Sequence, residues 1–439
     1  MSGIIFLRKI SHIIYFLAFI LSCLALFFMD DKIISIAGIE FCYNKINGMF
    51  LFLADLVLFL FNLNSKNSIR NMQKLFYPLS VLLLIAVNLA VIADNIFILF
   101  LILFITFLIN YILNRSEKTF SYDCIILFIS FALISYGLLR YFVLNDISAT
   151  FSNIAQYQYR VDDFIVNIGF LGFLILIFRL FNFLPFDLKA QNSHIFGFST
   201  IIYLIVGCDL LIKTFILFNY YFYKSQSIIA LYLILNLVYF VLSQFKSKGL
   251  NEFLKLSLCA NIIIGIFGLF LYNESGFISF IYYSISLILT YAAGFLLSDI
   301  IEKKMHSDKF SMLKKITHND RLIKFFIFII FLNIAHIPPC VAFCASIYTF
   351  LNIFLIDMQG LIMTFAPYIL FAAMFLLSLN ALNVISKILI EPIRPLKSFM
   401  ISQRQKFILS VISFALLISG LGIQYIMSQF MNIVSVGNM

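Results

Sequence analysis

The sequence predicts an all-α polytopic membrane protein with about 13 transmembrane helices, two of them discontinuous. Three observations carry this. Of 439 residues, 63% are hydrophobic and only 11% charged, with a mean hydropathy of +1.05. A water-soluble globule carries roughly 25% charged residues, so there is too little polar surface here to coat one. The apolar residues also fall in long runs separated by short polar links, and Lys and Arg gather in alternate links. The net charge of +10 is scattered through loops and not gathered on one face, which argues against nucleic acid as a partner and for a lipid bilayer.

On the rule that a span needs about 20 apolar residues, the runs are 10–29, 46–63, 76–93, 95–113, 122–144, 163–186, 195–219, 225–244, 253–272, 276–298, 323–355, 363–389 and 406–430. The first is long enough to span and lacks a small-residue cleavage site, so it reads as a helix and not a signal peptide. With the N-terminus in the cytoplasm, the inner links hold Arg8, Lys9, Lys66, Arg70, Lys74, Arg115, Lys118, Lys189, Lys246 and Lys248. They also hold the run Lys303 to Arg321 and the group Arg394 to Lys406, whereas outer links hold only Lys32, Lys45, Arg160 and Lys224. The alternation survives only if 323–355 crosses once, although it is too long for one straight helix. The polar stretch 299–322 reads as a basic cytoplasmic loop. The seven cysteines lie mostly within apolar runs, with no Cys/His spacing suited to a metal. No cofactor is expected.

Two runs contain helix breakers. In FRLFNFLPFDLK (178–189), Pro185 removes a backbone donor near the end of a span. In AHIPPC (335–340), Pro338 and Pro339 free carbonyls in mid-span. Non-helical backbone at membrane depth is tolerated only where protein or a water-filled cavity covers it. Discontinuous helices at matching places in two halves point to an ion or substrate site, against the simpler alternative of a proline kink.

Ionisable groups in hydrocarbon are costly, so each is a site candidate: Asp55, Arg179, Asp209, Lys213, His336 and Lys387, with Asn182, Asn261 and Asn333 as polar companions. Asp209 and Lys213 stand four apart on one helix face, as a self-neutralised pair or as part of an ion path. Asp55 is a bundle contact or a site residue. Lys387 lies near a helix end and can extend its ammonium to the interface.

Together these stretches resemble the proton-conducting membrane subunits of respiratory complex I (its M and N types) and the D-type chain of Mrp-type sodium/proton antiporters. HIPPCVAFCASIY (336–348) is similar to that family's G-[IL]-P-P-x-x-G-F-x-G-[KE]-F, and LFNFLPFDLKAQNSHIFGF (180–198) to K-x4-P-F-H-x-W-L-P-D-A-H-x-x-A-P. LKLSLCANI (254–262) resembles L-K-R-L-L-A-Y-S-S, and ADNIFILFLILF (93–104) resembles N-D-L-L-L-F-Y-x-F-F-E. The motifs occur in family order over residues 70–390, which the resemblance implies to be an antiporter-like core of inverted repeats. Residues 1–69 would then be N-terminal helices and 391–439 a C-terminal helix. It further implies proton or sodium/proton translocation within an NADH:quinone oxidoreductase-like or Mrp-like complex, with homologous membrane subunits as partners and no redox chemistry in this chain. A bacterial inner (cytoplasmic) membrane is the implied location.

The sequence also departs from the family. The family's glutamate falls on Phe104, its lysines on Leu180 and near Leu211, its central histidine near Gly265, and the charged residue of the second broken helix on Ser346. Neither Phe nor Ser carries a proton at neutral pH. Arg179, the Asp209–Lys213 pair, His336 and Lys387 are therefore the candidates for ion translocation, with Pro185, Pro338 and Pro339 marking the helix breaks. Two other readings stand beside conduction: a non-conducting structural paralogue, and an unrelated polytopic transporter or lipid-linked sugar flippase, the cationic cavity of a flippase needing Arg179, Lys213 and Lys387.

Overall fold

Apolar runs without bilayer-soluble alternatives must satisfy their backbone internally, and the helix does this within one segment. The computed structural model describes residues 2–29, 31–36, 39–65, 73–114, 117–145, 150–151, 164–183, 193–305, 307–310, 321–355, 361–389 and 402–421. In chain order they form α1 (Ser2–Phe28), β1 (Lys32–Ile36), β2 (Ile39–Tyr43), α2 (Lys45–Asn64), α3 (Gln73–Ile92), α4 (Ile96–Asn114), α5 (Glu117–Asn145), α6 (Phe164–Leu180) and α7 (Ser193–Leu217). Then come α8 (Asn219–Gln244), α9 (Leu250–Leu269), α10 (Glu274–Met305), α11 (Arg321–Ile334), α12 (Val341–Leu355), α13 (Leu361–Leu389) and α14 (Gln403–Leu421). Ten of these helices are long and apolar enough to cross a membrane, and α5, α6, α11 and α12 contribute shorter apolar stretches. The molecule is a multi-pass membrane protein.

The apolar run 323–355 resolves into α11 and α12. At 1.5 Å per residue these measure about 21 and 22 Å, so neither half spans the roughly 30 Å hydrocarbon layer alone. Pro185 lies outside the described residues, but the end of α6 before it is seen to turn away from the helix at Asn182.

The chain divides into two compact units, Met1–Lys224 and Ser225–Met439, with the division inside α8. In the first, α7 is buried along most of its length, while α1 is largely exposed apart from Ser11, Tyr15 and Ser22, and the Tyr15 hydroxyl donates to the carbonyl of Ser80 at 2.8 Å. Helices α5 and α6 approach most closely, because small residues meet where they cross. A Cβ on Gly169 would lie 3.1 Å from the Gly137 Cα, and one on Gly172 would lie 2.9 Å from the Leu133 side chain. Small residues at such crossings let backbones approach where the hydrophobic effect cannot drive helices together. In the second unit α9 and α10 form the buried centre, with α11, α12 and α14 packed on α10.

Two features depart from an all-helical chain with plain loops. Residues 32–43 form an antiparallel hairpin, Lys32 opposite Tyr43 and Ile36 opposite Ile39. The hairpin continues onto the α3–α4 link, where Phe41 bridges Ala93 and the Asp94 N–H donates to the Glu40 carbonyl at 3.3 Å. β-Branched and aromatic residues suit a pleated ladder, and the link that follows α3 supplies backbone groups for it to pair with. Helix α10 also runs on to Met305, through the start of the stretch expected as a basic loop. There the Lys303 Nζ sits 2.5 Å from Asp299 Oδ2, an i,i+4 pair that extends the helix.

Candidate functional site

Both breaks use one local device. At the end of α6, the Asn182 N–H donates to the Arg179 carbonyl (3.1 Å) and the Phe183 N–H to the Phe178 carbonyl (2.9 Å), with Asn182 at φ 58°. At the end of α11, the His336 N–H donates to the Asn333 carbonyl (3.1 Å) and the Ile337 N–H to the Leu332 carbonyl (3.0 Å), with His336 at φ 53°. This double closure around a left-handed residue is the Schellman termination, usually built on glycine. Asn and His are among the few other residues that enter the left-handed region readily. In AHIPPC the prolines follow the turn, and the Pro338–Pro339 bond is cis. Proline cannot extend a helix, so its place just after the turn is the expected one.

In the first unit the turn sits within an ion pair. Arg179 Nε donates to Asp123 Oδ1 at 2.5 Å, Nη2 also contacts that carboxylate, and Nη1 donates to Asn182 Oδ1 at 3.0 Å. Arg179 and Asp123 are both buried, and Ser199 donates to Asn110 at 2.9 Å between α7 and α4. Asp123 escapes a reading of the sequence because it lies two residues into an apolar run and looks like a loop edge. The signal was available in Arg179, since a guanidinium this deep demands a carboxylate.

Lys213 lies toward the other end of α7, about 21 Å along the axis from Ser199. Its Nζ is 2.9 Å from Asp209 Oδ2 and donates to the carbonyls of Val91 (2.6 Å), Ala93 (3.2 Å) and Ala90 (3.4 Å). Because α3 ends at Ile92, these carbonyls lack helical partners. The ammonium caps them and meets the negative end of the helix dipole. The Phe151 ring centroid lies 5.9 Å away. The Asp209–Lys213 pair is thus joined to α3, and the structure does not bring it to Arg179. Asp55 accepts from Asn88 Nδ2 at 2.9 Å between α2 and α3.

The second unit gathers neutral groups. His336 Nε2 is 2.8 Å from Asn261 Oδ1, and its Nδ1 is 2.5 Å from Ser346 Oγ and 3.2 Å from the Ala342 carbonyl. Asn261 Nδ2 donates to the Ser257 carbonyl (3.0 Å) and to Tyr291 Oη (2.8 Å), while Tyr283 donates to Asn261 Oδ1 (3.2 Å). Tyr291 and Ser257 hydroxyls lie 2.7 Å apart. Asn333 bridges the break: its Nδ2 donates to Thr290 Oγ1 (2.5 Å), and its Oδ1 accepts from the Ala342 N–H (2.9 Å), capping the start of α12. All of these side chains are buried.

Two of the family's charged positions acquire a local explanation here. Ser346 is short enough that the His336 ring comes up against it. Gly265 leaves room for Tyr283, since a Cβ there would lie 2.9 Å from Tyr283 Cδ1. Asn261, one turn before Gly265, is the α9 residue that reaches the ring. Phe104, by contrast, is 42% exposed on α4, and Lys387 is exposed near the end of α13. Among the described residues no group of three or more His, Cys, Asp or Glu side chains is placed to hold a metal ion.

These features define a class: polytopic α-helical membrane proteins whose helices break at polar clusters inside the bundle. Within that class, the fold matches chains of respiratory complexes and of an Mrp complex. A chain of the Mrp complex from Dietzia sp. DQ12-45-1b matches with TM-score 0.81 and 12% identity, over 99% of this chain and 93% of that one. A chain of the membrane-bound sulfane sulfur reductase, an archaeal respiratory membrane complex, matches with TM-score 0.79 and 14% identity, over 98% and 91%. One of respiratory complex I from Thermus thermophilus with bound NADH matches with TM-score 0.76 and 15% identity, over 97% and 95%. No protein-family model matches, and no curated protein is detectably similar in sequence. At these identities the likeness is one of fold.

Proposed function

We propose that this chain is a membrane subunit of a complex I-like or Mrp-like assembly, packed beside homologous membrane subunits, and that it moves protons, or sodium against protons, across the membrane. One observation carries the reading: each unit ends a helix in the same left-handed turn, and each turn is wrapped by buried polar side chains. A kink that served only to bend a helix would not need such partners. The full-length fold likeness supports membership of such an assembly. The alternation of Lys and Arg supports a cytoplasmic N-terminus in a bacterial inner membrane.

The first unit favours a second reading, that of a structural paralogue. Its deep cations are closed, Arg179 on Asp123 and Lys213 on Asp209 and the carbonyls of α3. The same closure weighs against a lipid flippase, which needs free cations for an anionic headgroup. The test is reconstitution of the chain with its co-purifying partners in liposomes, following internal pH under an imposed sodium or proton gradient. Conduction gives flux above empty liposomes. No flux from a complex shown to be intact would leave the structural reading.

A further inference from the structure

We infer that Asp55, in the middle of α2, is held as a neutral carboxylic acid that fastens α1 to the first unit, and that this fastening is pH-sensitive, holding while Asp55 keeps its proton and loosening when the proton leaves. It is independent of conduction and uses none of the groups at the helix breaks. In lipid no hydrophobic effect presses a helix onto its neighbours, so packing and polar bonds must do so. Helix α1 is exposed along Ile13, Leu17, Leu21 and Leu24, and its buried polar side chains are Ser11, Tyr15 and Ser22. Each has a partner on α2 or α3. Asn62 Nδ2 donates to Ser11 Oγ at 2.5 Å, Tyr15 donates to the Ser80 carbonyl, and Ser22 is hydrogen-bonded to Asp55. At 1.5 Å per residue these bonds pin about 16 Å of α1.

Asp55 lies about 15 Å along α2 from Lys45 and is 1% exposed. A carboxylate at that depth needs a cation or a full set of donors. Among the described residues Asp55 has neither. Arg179, Lys213 and Lys303 pair with Asp123, Asp209 and Asp299, and Asp55 is met by the Asn88 amide and the Ser22 hydroxyl alone. Tyr15 is near enough to feel Asp55, but its hydroxyl is occupied with Ser80. His12 on α1 and Tyr77 on α3 meet each other, with His12 about 15 Å along α1 from Ser22. On α7, which also packs on α2, Asp209 and Lys213 engage each other and the end of α3, and His194 sits at the opposite end against Phe61 and Phe76.

The hydrogens themselves point to the acid. Ser22 Oγ also donates to the Phe19 carbonyl at 3.1 Å. A hydroxyl has one hydrogen, so it cannot serve both that carbonyl and a carboxylate. A protonated Asp55 removes the conflict. Its O–H donates to Ser22 Oγ, Ser22 donates on to Phe19, and Asn88 Nδ2 donates to the acid's carbonyl oxygen. A half-turn of the Asn88 amide gives the acid hydrogen a second acceptor, because Asn88 Oδ1 is buried without a hydrogen-bond partner. When the proton leaves to water, Ser22 must give up either Phe19 or Asp55, and the bare charge draws water between α1 and α2. Ionisation is favoured as pH rises, so α1 is held at low pH and released at high pH.

Infrared difference spectra of the chain reconstituted with its co-purifying partners, wild type minus Asp55→Asn, read the protonation state directly. A carboxylic C=O band at neutral pH is expected, and carboxylate bands in its place overturn the neutral acid. The fastening is read at Cys23, half-buried beside Ser22 on α1, by its rate of labelling with a lipid-soluble maleimide. Asp55→Asn keeps a donor for Ser22 and an acceptor for Asn88 but cannot ionise, and comparison at equal pH cancels the thiol's own titration. The ratio of wild-type to Asp55→Asn labelling is expected to be near one at low pH and to climb by up to about tenfold per pH unit, the linkage of one proton. A ratio that stays flat into the alkaline range overturns the switch. Asp55→Ser, smaller and equally unable to ionise, is the reference for both measurements if Asp55→Asn does not assemble.

Discussion

The two units solve one problem with opposite chemistry. Each ends a helix with a left-handed residue two or three positions before a proline, and each must satisfy the groups thereby exposed. In the first unit the residue three before the turn is Arg179, which reaches back to Asp123 on α5. In the second it is Asn333, which reaches back to Thr290 on α10 and forward to the Ala342 N–H. One arrangement is ionic and closed, the other neutral and linked to an imidazole ring. A buried ion pair fixes geometry strongly because neither partner tolerates loss of the other. A neutral hydrogen-bonded network tolerates rearranged hydrogens, because hydroxyls and imidazole are both donors and acceptors. The difference teaches that a charge inside a membrane bundle can serve as a fastening, and that a helix break can be satisfied with or without one.

The comparison can be broken most decisively at Asp123. Asp123→Ala leaves the Arg179 guanidinium buried without its carboxylate and is expected to lower stability by about 3–5 kcal/mol. Replacing both partners, Asp123→Leu with Arg179→Met, should come within about 1 kcal/mol of wild type. Thermal midpoints in detergent decide this, and equal losses in the single and double variants would deny the pair its fastening role.

A smaller effect is expected at Lys213, which is partly exposed. Lys213→Met strands Asp209 and uncaps α3, at a cost of about 2–3 kcal/mol. Adding Asp209→Asn should recover the carboxylate's share and leave about 1 kcal/mol for the lost cap. Full recovery would mean that the carbonyl contacts of Val91 and Ala93 contribute nothing.

The smallest change sharpens the neutral side. Asn333→Ala removes the cap of α12 and the bond to Thr290, and about 1 kcal/mol is expected. Hydrogen exchange at the start of α12 reports it directly, with faster exchange of the Ala342 amide as the expected sign. An unchanged amide would show that the prolines alone set the start of that helix.

Much of this architecture was legible in the sequence, and for a physical reason. A bilayer leaves an apolar run little choice but helix, so the long runs and their order followed from composition. The double proline marked the break before α12, because two residues without helical compatibility cannot sit inside one. The i,i+4 spacing placed Asp209 beside Lys213, since that spacing is local to one helix. The strands of the hairpin at 32–43 pair with each other, but the bridge that seats it, Phe41 with Ala93 on the α3–α4 link, is remote in sequence and was not legible.

The sequence also named Arg179, His336, Asn261 and Asn333 as polar residues at depth, but only the tertiary structure decided their roles. Arg179 became a fastening because α5 and α6 touch through glycine and carry Asp123 to it. Lys213 became a cap because α3 ends where its ammonium arrives. His336 became the centre of a neutral network because α9 brings an amide oxygen to one of its ring nitrogens, and α12 a serine hydroxyl and a backbone carbonyl to the other. Helix formation is a property of neighbours in the chain, whereas the state and use of a buried polar group depend on atoms that only packing brings within about 3 Å.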